Sequence, residues 1–297
     1  MELGQLRALR ELRDRGSIAA VAASLHVTPS SVSQQLTALQ RGSSVPLTRR
    51  EGRRTVLTDA GLALAAAAVG VEVALAKARQ AVRDFQTEPA GTVSVAAFTS
   101  AGSALVAPLL TEFADADGTR LALSDEDVAQ DDFPALTARH DLVVAHRLAG
   151  SAPWPQSVSV EPLLFEPLDV AIGVGHPLSG HRSLTPEDLR GESWVAVHDG
   201  FPLEGALASL LSSSEVRIAH RINEFSTAAA VVAASGCLAL MPRYTPEHHP
   251  GVRLIPLEQP LLGRQIDCLA RPETLERANV QLVLSRLRSM AATLTQR

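Results

Sequence analysis

Two groups of side chains near the N-terminus carry the chemistry of nucleic-acid contact. Around the apolar positions Val32, Leu36 and Leu39 lie Ser30, Ser31, Ser33, Gln34, Gln35 and Thr37. On a helix the apolar three share one face and leave the polar side chains for the others. Hydroxyls and amides of this size hydrogen-bond to base edges and phosphates in a DNA major groove. Shortly afterwards Arg49, Arg50, Arg53 and Arg54 crowd around Glu51-Gly52. Their guanidinium groups can hold phosphates or enter a minor groove. Either group alone would suit a solvated surface, but in this order they favour DNA binding.

A second set suits a small ligand. Thr99-Ser100-Ala101-Gly102-Ser103 follows a strand-like run and leads into a helical one. Free amides and hydroxyls at such a junction suit a carboxylate, and plain helix capping is the open alternative. His146 and Arg147 follow the apolar run from Asp141 to Ala145, where Arg147 can equally be solvated. His198-Asp199-Gly200-Phe201 precedes another helix, and Phe201 could cover an apolar ligand. Thr227 begins a helix after Phe225, with capping again the alternative. The expectation is a small anionic metabolite touching Thr99, Ser100, His146, His198, Phe201 and Thr227.

The elements that must position these groups follow from periodicity. Leu3, Leu6, Leu9 and Leu12 recur at helical spacing, and Gly16 ends that helix. Ser17 is the N-cap of a helix from Ile18 to Leu25. Thr28 caps a third, with Pro29 at its first position, where no amide bond is lost. Leu47-Thr48-Arg49, the turn Arg50-Glu51-Gly52-Arg53 and Arg54-Thr55-Val56-Leu57 read as a small hairpin. Thr58-Asp59 caps a long apolar helix from Ala60 to Gln86, about 40 Å at ~1.5 Å per residue. Leu62, Val69, Val73 and Ala76 mark its apolar face, and a dimer seam accounts for its length. After the hinge Thr87–Gly91, strands and helices alternate, with strands at 92–98, 121–123, 141–145, 194–197, 217–222, 238–241 and 265–270. Helices fall at 104–113 and 227–234, with an extended connection at 163–173 and a terminal helix from Pro272 to Thr295. Such alternation predicts doubly wound α/β units.

The chain has 297 residues, enough for two or three compact units. Residues 1–88 carry 12 Lys and Arg against 8 Asp and Glu, a net of +4, and the remainder carries 15 against 24, a net of −9. A basic end on an acidic body suits a chain that meets phosphate at one end. No secretory signal is visible, Glu72 interrupts the longest apolar run, and a cytoplasmic protein without a membrane partner is expected. Cys237 and Cys268 sit in apolar surroundings and are expected reduced and buried. Enzyme motifs are incomplete. Gly173-Val174-Gly175 is followed by His176-Pro177 and lacks a third glycine, while Gly191-Glu192-Ser193 lacks the last glycine of a nucleophile elbow. His248-His249 has no carboxylate at ligand spacing, so neither a metal nor another cofactor is expected.

The chain resembles the LysR-type transcriptional regulators. The resemblance is carried by Leu6, by Gly16 to Ala22, by Leu25 to Gln35, by Leu39, by Val45-Pro46-Leu47 and by Leu57 to Gly61. It continues in Gly175-His176-Pro177-Leu178, Asp188-Leu189, Val231 to Gly236 and Leu240-Met241-Pro242. Departures are Ser44 for a usual Gly, Thr48 for a bulky apolar residue, Gln40 for a Glu, and a short acidic stretch from Ala114 to Arg139. The resemblance implies a two-subdomain sensor built like a solute-binding protein, with a ligand cleft between the lobes. It also implies dimers joined by the long helix and commonly paired into tetramers on double-stranded operator DNA. Peroxide sensors of the family use a cysteine pair much closer in sequence than Cys237 and Cys268.

The expected organisation is therefore a winged helix-turn-helix at 1–58, a linker helix and hinge at 59–90 and a sensor at 91–297. Within the sensor, subdomain I covers about 91–162 and 266–297, and subdomain II about 163–265. The expected function is effector-controlled, sequence-specific transcription regulation without enzyme activity. A cytoplasmic solute-binding protein without a DNA role is the alternative.

Overall fold

The computed structural model describes residues 1–52, 54–83, 91–114, 118–211, 216–244, 249–258 and 262–296. Arg53, Gln86, His248 and the hinge residues 87–90 lie outside the described residues.

Three helices open the chain: α1 Leu3–Arg15, α2 Ile18–Ser24 and α3 Pro29–Arg41. Gly16 leaves α1 with a φ of 70°, and the Ser17 and Thr28 side chains cap α2 and α3 by accepting from Ala20 N and Ser31 N, 3.2 Å each. Between α2 and α3 the chain turns at His26, whose φ is 52°. A two-stranded hairpin follows, β1 Thr48–Glu51 and β2 Arg54–Leu57, with Arg50 opposite Thr55. Leu6, Leu9, Val21, Val32, Leu36, Leu39, Leu47 and Leu57 close one small core. The long helix α4, Asp59–Arg83, lays Gly61, Ala65 and Ala68 against this unit. Gly61 is required there, because a Cβ would stand 2.0 Å from the Leu47 carbonyl oxygen.

The rest of the chain is built on one mixed sheet in the order β4-β3-β5-β11-β6-β9-β7-β8, with β10 also pairing β6. At one end β3 Gly91–Ala97 lies parallel to β4 Thr119–Asp125 and to β5 Leu142–Leu148. At the other, β7 Ser193–Ala196 lies parallel to β8 Arg217–Arg221 and to β9 Leu238–Pro242. The long β6, Ser159–Gly173, joins the two ends: it pairs with β11 Gly263–Ala270 first and then with β9 and with β10 Val252–Ile255. The extended connection expected at 163–173 is thus the longest strand. Its alternation is masked because both faces become buried where it enters the second lobe.

Each end has its own core. Val93, Phe98, Leu105, Phe133, Val143, Ile266, Val283 and Leu287 belong to one. Leu168, Ile172, Trp194, Leu207, Phe225, Val232 and Leu238 belong to the other. Helices cover both: α5 Thr99–Ala101, which runs through a π-helical turn at Gly102–Val106 into α6 Ala107–Ala114, then α7 Phe133–Leu136, α8 Ala206–Leu210, α9 Phe225–Ser235 and α10 Ala278–Leu294. The terminal helix starts at Ala278 and not at Pro272, because a 3₁₀ turn at Thr274–Glu276 intervenes.

Candidate functional site

The polar positions of α3 do not all face the same way. Ser30, Ser33, Gln34 and Thr37 are exposed, whereas Ser31 and Gln35 are half-buried. Ser33 Oγ donates to Pro29 O at 3.0 Å and Thr37 Oγ1 to Ser33 O at 2.8 Å, which leaves both hydroxyl oxygens able to accept. The Gln35 amide lies against Gly4 of α1, and its Oε1 is buried without a hydrogen-bond partner. Gln35 therefore packs against α1 and is less exposed than Gln34 beside it. The helix period explains this: position 35 lies one step from the buried Leu36 and three from the buried Val32.

Beside α3 the hairpin forms a wing. A groove lined by Ser33, Thr37, Gln40, Arg49, Arg50 and Thr55 separates them, with a volume of about 310 Å³. Gln40 fixes the wing to the helix by accepting from Leu47 N at 2.7 Å and donating to Val45 O at 2.9 Å. The departure from Glu at this position thus supplies a donor that a carboxylate lacks. Arg49 is held by Glu51 at 2.5 Å, while Arg50 and Arg54 are exposed. Together α3 and the wing offer acceptors, an amide and cations on one open surface, the composition that major-groove and phosphate contacts require.

The same unit is tied to the two-lobed part of the chain by charge. Arg10 is 1% exposed and pairs with Glu72 of α4 and, at 2.7 Å, with Glu273. Arg271 grips Glu11 at 2.6 Å and Asp14 at 3.3 Å, and Arg15 donates to the Ala138 carbonyl at 2.7 Å. Burial opposes ionisation of Glu11, but hydrogen bonds and charge from Arg271 and Arg15 outweigh it and lower its pKa. By length and composition α4 could cross a membrane, with a mean hydropathy of 1.7 over its most apolar 18 residues. One of its faces is nevertheless packed on α1 with the paired Glu72. Away from that face the helix exposes apolar side chains on both flanks, Leu62 at 45% on one and Val71 and Val82 at 46% and 72% on the other.

The second site is a cleft between the two lobes, a cavity of about 180 Å³. Phe98, Phe201 and Phe225 form its apolar walls, and Thr99, Ser100, Ser103, Asn223 and Ser226 add polar groups. At its base Arg264 of β11 is fully buried. It pairs with Glu166 of β6 at 2.9 Å, donates to Ser100 Oγ at 3.1 Å and lies 4.9 Å from the Phe98 ring centroid and 5.6 Å from that of Phe225. Arg264 thus touches both lobes from a strand that joins them. The preceding Gly263 leaves no room for a side chain without a shift, since a Cβ would stand 2.8 Å from the Glu166 carbonyl oxygen and 2.2 Å from the tip of the Phe165 ring.

His146 lies among Phe98, Phe133 and Phe201, with ring centroids 4.2, 5.8 and 5.6 Å away. Burial, reinforced by the nearby Arg264 charge, holds its pKa well below the usual histidine range and keeps it neutral. Carboxylates stand at the mouth. Asp127 has its pKa raised by partial desolvation and by Asp125 and Glu224, against the pull of Arg264. Glu224 caps α9. Its partial desolvation is outweighed by hydrogen bonds from Ser226 and Thr227, which bring its pKa to about 2.

Of the effector residues expected from sequence, Thr99, Ser100, His146 and Phe201 converge on this cavity. His198 and Thr227 are not among its lining residues. His198 is exposed, and its N–H donates to Asn223 Oδ1 at 2.8 Å. Thr227 lies in the first turn of α9, which Glu224 caps, and Ser226 lines the cavity in its place. Sequence reasoning missed Arg264, Glu166, Asp127 and Glu224. For Glu166 and Arg264 the available signal was a charge inside a strand-like run, as in Leu163-Leu164-Phe165-Glu166 and Gly263-Arg264-Gln265-Ile266.

Two family models match the chain: "Bacterial regulatory helix-turn-helix protein, lysR family" over residues 3–62 and "LysR substrate binding domain" over residues 86–292. Among curated relatives, the HTH-type transcriptional regulator GbpR of Rhizobium radiobacter is 28% identical over 65% of this chain and 64% of its own length. A probable RuBisCO transcriptional regulator of Trichormus variabilis is 26% identical over 72% of this chain and 64% of its own. The chain thus spans slightly less than two thirds of the length of these relatives. Among solved structures, full-length OxyR C199D from Pseudomonas aeruginosa aligns with a TM-score of 0.72 at 18% identity, covering 100% of this chain and 98% of that one. Full-length CbnR complexed with its target DNA aligns at 0.52 and 20% identity, covering 98% and 100%. These structural likenesses bear on the fold, an N-terminal winged helix-turn-helix followed by a two-lobed α/β unit. The family models, spanning most of the chain, carry the assignment, and the protein belongs to the LysR family of bacterial regulators.

Proposed function

We propose that this protein is a sequence-specific DNA-binding transcription regulator controlled by a small molecule held in the cleft. The observation that carries the reading is the surface shared by α3 and the wing. Ser30, Ser33, Gln34 and Thr37 are exposed beside Arg50 and Arg54, on a unit whose core holds the two elements at fixed spacing. Gln34 and Ser33 read base edges, and the arginines hold phosphates. Arg53 belongs to the same cluster by sequence. Residues 1–58 form the reader, 59–90 the linker and hinge, and 91–297 the sensor, with lobes near 91–162 plus 266–297 and 163–265.

The exposed apolar side chains of α4 support a dimer in which two such helices pair, placing one recognition helix on each half of a double-stranded operator. Pairing of dimers into tetramers follows from the family resemblance, as does a cytoplasmic location. Ligand binding between the lobes favours one lobe orientation. The contacts of Arg271 and Glu273 with α1 carry that preference to the reader. The test is duplex binding by the purified full chain on fragments recovered from its own genome. Salt-sensitive binding that discriminates among fragments supports the reading; ligand binding without DNA binding would assign the chain to solute binding alone.

A further inference from the structure

We propose that the occupant of the cleft is a small zwitterion of the amino-acid class, with an ammonium group, a carboxylate and a ring-sized or branched apolar body. This deepens the reading of the cleft as the effector site and rests on it. It replaces the purely anionic metabolite expected from sequence, because the lining differs from a string of helix-end amides and hydroxyls.

Charge comes first. The buried cation on the cleft lining, Arg264, is already matched by Glu166 at 2.9 Å and is no spare positive charge for an anion. Asp127 and Glu224 then leave the lining with excess negative charge, and Asp125 adds to the field from the end of β4. A ligand that brings only negative charge would enter against this field, whereas an ammonium group would relieve it.

Hydrogen bonding comes next. Arg264 Nη1 lies 3.5 Å from His146 Nδ1, and a guanidinium can only donate. The neutral imidazole therefore keeps its lone pair on Nδ1 and its proton on Nε2. Nε2 is buried and has no hydrogen-bond partner, although His146 itself is fully buried and lines the cavity. An unmet donor in such a place calls for an acceptor from the ligand. A carboxylate supplies one, with the Ser103 hydroxyl on the same lining to share it. A simple amine would leave Nε2–H unmet, so the two observations together select a zwitterion.

Shape limits the rest. Three phenylalanine rings bound a cavity of about 180 Å³, which is below the ~300–1,000 Å³ of sites for drug-sized ligands. A nucleotide is too large, and a sugar phosphate brings further negative charge to a lining that is already negative. An apolar side chain of leucine or phenylalanine size can be enclosed by Phe98, Phe201 and Phe225.

The experiment is calorimetric titration of the full-length protein with the proteinogenic amino acids, their decarboxylated amines and their matched acids lacking the ammonium group, such as 3-phenylpropanoate, with citrate as a polyanion. At least one apolar amino acid should bind, about tenfold or more tighter than its matched acid and its matched amine. Asp127→Asn, an exposed substitution that the fold tolerates, should weaken the amino acid about tenfold and leave the matched acid unchanged. If an anion binds tighter than every amino acid and Ser100→Phe removes that binding, the cleft is the effector site and the zwitterion assignment is wrong. Binding by none of the ammonium-bearing probes overturns the assignment as well. An amino acid whose binding survives Ser100→Phe sits elsewhere, and both the assignment and the cleft reading fail.

Discussion

Gln34 and Arg50 separate the two ways a side chain can serve a DNA interface. Gln34 is exposed on α3 and carries both a donor and an acceptor, so its loss removes sequence reading. Gln34→Ala should weaken the specific duplex by about 1–3 kcal/mol and leave random DNA almost unaffected. Arg50→Ala should weaken all duplexes alike and lower the slope of log K against log salt by about 0.9. Titrations at several salt concentrations distinguish these outcomes. Cys268 belongs to a different argument. It is buried in the first sensor core while Cys237 lies in the second, and burial together with Glu161 pushes its thiol up to about 12. A thiol so held supplies almost no thiolate at neutral pH. DNA affinity should therefore be insensitive to peroxide, and a peroxide response lost in Cys237→Ser or Cys268→Ser would refute this.

Among the elements, α4 carries the most distinct expectations. Its packed face needs Gly61 to approach the Leu47 backbone, so Gly61→Ala should destabilise the reader by at least about 1–3 kcal/mol, read as a lower denaturation midpoint. Its open face should join a second copy. Val71→Glu, at a 46% exposed position, should leave the fold intact and give monomers by light scattering where the wild type gives dimers or larger. A monomeric wild type at micromolar concentration would remove the seam. The long helix, the reader helices and their caps were legible because periodicity and cap residues are local signals. The cleft was only half legible. Thr99, Ser100, His146 and Phe201 stand next to strand ends, where sequence reasoning looks. Arg264 and Glu166 sit inside strands and meet across a β6–β11 pairing nearly a hundred residues apart, which no local pattern reveals. Thr227 misled for a related reason: a Thr near a helix start resembles a cap, but Glu224 three residues earlier takes that role.

For the molecule as a whole, reader and sensor meet through charges. Glu11 is the group whose ionisation fastens α1 to Arg271. Its pKa lies lower in the folded protein than the ordinary 4.5. The stabilisation is therefore fully present above that ordinary value and is lost as pH falls through the lower folded value. Acidification below about 4.5 should loosen the reader from the sensor, seen as faster amide exchange in α1, and Glu11→Gln should reproduce this at neutral pH. An α1 whose exchange is unchanged in both cases would mean that the ion pairs do not hold the two parts together. The central claim, that α3 and its wing read a DNA sequence, is tested most directly by one comparison. The affinity of the full chain for a duplex recovered from its own genome is measured against a scrambled duplex of equal length, for the wild type and Gln34→Ala. The account predicts a wild-type preference of about a thousandfold or more at physiological salt, narrowed by Gln34→Ala through loss on the recovered duplex alone. Equal wild-type affinity for both duplexes would contradict it.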